Sequence, residues 1–224
     1  MTQEFGRVDR PSTGSFRGKR KLFLVPRLYE PPASAEEGLA ILQRYWDQMQ
    51  SQVASLESGL GPIKHIYHEG LTEGGEQGVA YLEAMDQRCQ TFVQDKSQSG
   101  ATLEATEDEE ILGETLDLQR CLMLPLTSNG VATKLQEWFT DSVRRRYEYI
   151  SNRIDETLGE NEVGLLMINE RHQVQFPADI EVFFVAPPAL DEFRRWLDDW
   201  IAKQQATDAE NSQGGESSGE PEAE

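Results

Sequence analysis

A chain of 224 residues with 40 acidic and 21 basic side chains and a formal charge of −19 is long enough to bury one substantial core. Its sign excludes general nucleic-acid binding, because so negative a body repels phosphate backbones over a Debye length of about 8 Å at physiological salt. Apolar runs such as VFFVAPPAL fall far short of the roughly 20 residues a membrane span needs. Two cysteines without CxxC spacing, and no secretory leader, read as reduced thiols in a cytoplasmic protein.

The charge is unevenly spread. Residues 1–21 hold six Lys/Arg against two acids, whereas residues 206–224 hold six acids and no base, and 32 of the 40 acids lie between. The first segment, 1–20, reads as a disordered basic arm. Glu4 and Asp9 argue against a transit peptide. The last, ATDAENSQGGESSGEPEAE, reads as a disordered acidic tail, since it lacks the apolar surface to offset its ordering entropy. Residues 21–205 then form one domain, whose acidity calls for a partner with a basic protein surface.

KLFLV, Lys21 to Val25, has the length of a buried strand, and Pro26 ends it. Ser34 to Glu37 matches a capping box. Beyond it Leu39, Leu42, Tyr45, Trp46, Met49, Val53, Leu56 and Leu60 recur at helical spacing, and Gly59 and Gly61 close the helix. IKHIYHE reads as the next strand, and GEQGVAYLEAMDQRC as a short helix after the Gly74-Gly75 turn. Gln90 to Val93 and Ala101 to Glu104 read as short strands. Thr106 to Glu109 matches a second capping box, opening a helix to about Asp117, and CLML at Cys121 to Leu124 reads as a buried strand that takes its cysteine inside. The longest helix follows, with Leu135, Trp138, Phe139, Val143, Tyr147, Ile150, Ile154 and Leu158 as its apolar stripe. VGLLMI and EVFFVA are further strands, and ALDEFRRWLDDWIAKQ is a last helix with Leu190, Phe193, Leu197, Trp200 and Ile201 inward. This alternation predicts an α/β single domain: a mixed, mostly parallel sheet with helices packed on its faces.

The stretch IKHIYHEGLTEGGEQG concentrates two histidines, three acids and four glycines. As a strand it sends His65 and His68 to opposite faces, and HxxHE is not the order of a helical zinc site, so neither a metal nor a cofactor is expected. A phosphate cradle would need a lysine that is missing here, and Glu69, Glu73 and Glu76 would repel the anion. If the chain is a small hydrolase, this loop supplies its catalytic candidates: His65, His68, Glu69 and Glu76. No nucleophile, base and orienting group stand together elsewhere. Arg144, Arg145 and Arg146 span about 200° of a helix, so they form no single patch. Arg144, Arg145 and Arg153 are nonetheless the binding candidates, set against pairing with nearby acids.

The run RRRYEYISNRIDETLGENEVGLLMI resembles a segment of bacterial proteins related to the archaeo-eukaryotic peptide chain release factor and Pelota-type rescue factors, over about residues 144–190. The resemblance implies an α/β domain of ribonuclease H-like or L7Ae-like kind and a ribosome-associated partner. That family's catalytic signature is a Gly-Gly-Gln loop. Gly74-Gly75-Glu76-Gln77 carries an inserted glutamate, so no catalytic residue is carried over. The expectation is a non-enzymatic interaction protein linked to translation.

Overall fold

The computed structural model describes residues 18–214, the last eight as helix backbone only; most of the basic arm and the end of the acidic tail lie outside them. The described chain forms two compact units. One comprises the chain up to Arg27 together with Gln52–Val185, the other Leu28–Ser51 and the chain from Ala186 onward.

The first unit holds a sheet of β1 (Arg20–Pro26), β2 (Ile63–His68), β3 (Thr102–Leu103), β4 (Val163–Ile168) and β5 (Ile180–Phe184), in the order β3-β2-β4-β1-β5. Every pairing is parallel, so the sheet is not mixed. The α/β class is as the alternation predicts. Parallel strands covered on both faces need apolar residues at successive positions, and all six residues of β4 are buried. On one face Leu22, Tyr67, Leu166 and Ile168 pack with Ile150, Ile154 and Leu158 of α5 (Asn129–Thr157). Gly164 permits that approach, since a Cβ there would meet Leu22 and Tyr67 at 3.1 Å. On the other face Cys89 of α3 (Gln87–Gln98) meets Met167, sulfur to sulfur, at 3.6 Å.

Gly74 and Gly78 of the IKHIYHEGLTEGGEQG stretch serve packing. α2 (Gly75–Met85) starts against β3, where a Cβ on Gly74 would fall 2.6 Å from the Leu103 carbonyl oxygen and one on Gly78 2.6 Å from that of Glu73.

Several local expectations are corrected. Gln90 to Val93 lies inside α3, because Asp86 caps that helix through the Arg88 and Cys89 N–H groups and buries Cys89, Phe92 and Val93 at helical spacing. Cys121 to Leu124 is no strand: α4 (Glu109–Leu122) ends within it, with Met123 as its C-cap, and Cys121, Met123 and Leu124 are exposed. Short apolar runs have no period that separates the two structures. The caps also shift. Asp108, not Thr106, accepts the Ile111 N–H, and the Thr106 hydroxyl instead accepts the His68 N–H. Ala35, one residue past Ser34, supplies the carbonyl that accepts the Leu39 N–H ahead of α1 (Glu36–Leu60).

In the second unit the first half of α1 meets α6 (Pro188–Gly214). Arg44 pairs with Glu192 at 2.7 Å, and the Ala189 N–H donates to Gln48 at 3.0 Å. α6 continues past Gln205, where the tail was expected to begin, and Leu197 and Ile201 are exposed rather than inward. No helix among the described residues is long and apolar enough to cross a membrane.

Substituting Gly78 by alanine sets a methyl against backbone that cannot rotate away. The expected cost is about 1–3 kcal/mol, read as a lower urea midpoint with unchanged slope; an unaltered midpoint would contradict the packing role.

Candidate functional site

The candidate catalytic residues are not brought to one point. His65 lies on the α5 face of β2, its ring beside Tyr67, with Nδ1 2.8 Å from Glu104 and Nε2 3.1 Å from Glu162. His68 lies on the opposite face. Burial, aided by the nearby Arg27 charge, pushes its pKa down to about 3, and its Nδ1 has no hydrogen-bond partner. Glu76 is exposed in the first turn of α2. Among the described residues no group of three or more His, Cys, Asp or Glu is placed to hold a metal ion. Burial also pushes the Cys89 thiol up to about 12, which leaves it un-ionised at neutral pH.

Glu69 belongs to a different constellation, at the carboxyl edge of the sheet. Arg146, on α5, donates through Nε and Nη2 to both oxygens of Glu107 and at 3.2 Å to Glu69. Glu69 also accepts the Asn169 N–H at 2.8 Å, and Glu107 the Gly70 N–H at 2.7 Å. Both carboxylates are buried. Burial opposes the Arg146 charge, but Glu107 and then Glu69 more than offset it and hold its pKa above the usual value. Sequence reasoning missed this triad, because Arg146 reads as one of three equivalent arginines and Glu107 as a helix-capping acid.

The candidate binding arginines are each engaged within the chain. Arg144 bonds Asp141 and Glu148, both at 2.7 Å; Arg145 bonds Glu114 at 2.6 Å; Arg153 bonds Glu156 at 3.0 Å and the Ala105 carbonyl.

What stands open is the α4–α5 hairpin. From Arg146 to its C-terminal end α5 crosses the sheet, and from Asn129 to Arg145 it extends about 25 Å beyond the carboxyl edge with α4 alongside. Between residues 109 and 149 only Thr115 and Ser142 are buried, their hydroxyls 2.8 Å apart at the helix–helix contact. The apolar residues are at best half-buried, and Met123, Leu124, Val131 and Trp138 are exposed, Met123 by 70% and Trp138 by 57%. Trp138 was expected in the apolar stripe; two helices alone have no third surface to cover it. Aromatic residues and methionine are residue types enriched in interface cores.

Comparison with known proteins gives no match, whether to protein-family models, to curated proteins or to solved structures.

Two outcomes follow from this geometry. Replacing Arg146 by alanine strands two buried carboxylates and is expected to cost about 3–5 kcal/mol in denaturant unfolding, while Arg144→Ala and Arg145→Ala leave the midpoint nearly unchanged. His68 is neutral in the fold yet ionises near pH 6.5 when unfolded, so acid favours the unfolded chain. Stability from this group is complete above about pH 6.5 and lost as pH falls towards about 3, at up to about 1.4 kcal/mol per pH unit. Urea midpoints measured across that window should fall more steeply for the native protein than for His68→Gln; parallel curves would reject the assignment.

Proposed function

We propose that this is a non-enzymatic interaction protein of the cytoplasm, whose α4–α5 hairpin docks on a basic protein surface of the translation apparatus. The observation that carries the reading is the exposure of Met123, Leu124, Val131 and Trp138 on a hairpin with almost no buried core. Exposed apolar surface on a rigid helical pair marks an interaction site, and burying it supplies the affinity. The charge of −19 selects a positive partner and accelerates the encounter. The likeness of residues 144–190 to release-factor-like proteins is the ground for placing that partner on the ribosome. A hydrolase built on His65, His68, Glu69 and Glu76 gains no support from the geometry, since β2 separates the two histidines and Arg146 occupies Glu69.

Co-sedimentation with purified ribosomes tests the proposal. The protein should pellet with ribosomes at low ionic strength and be released as salt shortens the Debye length. A Met123→Asp, Trp138→Asp double variant should lose at least about tenfold in affinity, given that each interface anchor contributes about 1–2 kcal/mol or more, without a change in melting temperature. Failure to pellet at low salt, equal binding by the variant, or equal binding to ribosomal RNA stripped of protein would each overturn it.

A further inference from the structure

In the second unit α1 and α6 border a cavity of 670 Å³. One wall is aromatic. Phe193, Trp196 and Trp200 follow one another along α6, with ring centroids 5.5 and 6.1 Å apart and the two indoles stacked at 28°. Trp196 lies directly on the backbone of α1, where a Cβ on Gly38 would fall 2.2 Å from the indole. Only glycine admits this seat, although glycine inside a helix costs about 1 kcal/mol relative to alanine.

The polar lining is acidic in balance. Arg44 and Glu192 neutralise one another at 2.7 Å. Glu36, Glu37 and Asp199 line the cavity and make no ion pair among the described residues, beside Arg195, whose Nε donates to the Asp191 carbonyl, and Lys203. A half-buried pair of tryptophans beside several carboxylates is the chemistry that holds an organic cation, through the negative ring faces and the counter-ions together. A stacked anion such as a nucleotide would instead meet those carboxylates.

We propose that this cavity takes the guanidinium or ammonium group of a basic protein segment, seated on the Trp196–Trp200 pair with Glu37 and Asp199 as counter-ions. The assignment does not rest on the hairpin, and it survives or fails separately.

The chain has four tryptophans, Trp46, Trp138, Trp196 and Trp200, so its indole N–H signals in NMR report the site directly once assigned with Trp→Phe variants. Titration of the full chain with N-acetyl-arginine amide should shift the Trp196 and Trp200 signals saturably and leave Trp46 and Trp138 in place. Trp200→Leu should weaken binding by about 3- to 30-fold. The Glu37→Gln, Asp199→Asn double variant, which leaves the aromatic packing intact, should also weaken it several-fold. An arginine-rich decapeptide should bind more tightly than the capped amino acid. The absence of saturable shifts, unchanged affinity in the double variant, or AMP moving these signals where the arginine amide does not would overturn the proposal. Equal affinity for peptide and capped arginine would overturn a protein segment as the source of the cation.

Discussion

Arg146 sits where four segments of the first unit meet: α5, the turn after β2, the turn after β3 and the loop after β4. Three charged groups removed from water are stable there because each is satisfied. The guanidinium spans Glu107 and reaches Glu69, and the remaining carboxylate capacity is taken by the Gly70 and Asn169 N–H groups. Such a network is a poor source of net stability compared with an apolar core, but it enforces one geometry, since any displacement exposes an unpaired charge to low dielectric. It fixes α5 at the point where that helix leaves the sheet. The direction of the projecting hairpin therefore depends on it.

Much of the layout was legible in the amino-acid sequence, and the failures share a cause. β1 and β4 stand out because buried parallel strands demand unbroken apolar runs, and α1 and α5 because their stripes are long enough to show a period. Cys121 to Leu124 and Gln90 to Val93 do not, because four residues fit either period. The hairpin's exposure was hidden for a related reason. Periodicity shows that Leu135, Trp138 and Phe139 share a side of α5, not whether anything lies against that side. Glu69 was read as a catalytic candidate rather than as an ion-pair member, because its partner Arg146 lies 77 positions away, beyond the reach of local pattern. The GGEQG glycines were recognised as structural; their contact with β3 required the fold.

The distribution of charge and apolar surface is consistent with one physical role. Glu114, Asp117, Glu137 and Asp141 of the hairpin pair with Arg145, Arg120, Lys134 and Arg144 on the same helices, so these ion pairs partly balance the hairpin flanks while the molecule as a whole stays negative. In the proposed docking, long-range attraction would come from the body and short-range adhesion from the exposed apolar residues of the hairpin. Under that proposal, attraction to a positive surface and apolar adhesion would reside in different parts of the chain.

The strand order also governs when the sheet can exist. Among the described residues β4, lying between β1 and β2, is the only strand that bonds to both, yet it begins at Val163, after the two longest helices of the first unit. During synthesis β1, β2 and β3 emerge as edges without their central template. Loop closure over more than a hundred residues must precede the reward of pairing β1. The nascent chain therefore carries Leu22, Phe23 and Ile66 uncovered until most of it has left the ribosome. Folding of the sheet thus waits on β4, the strand that joins its two halves.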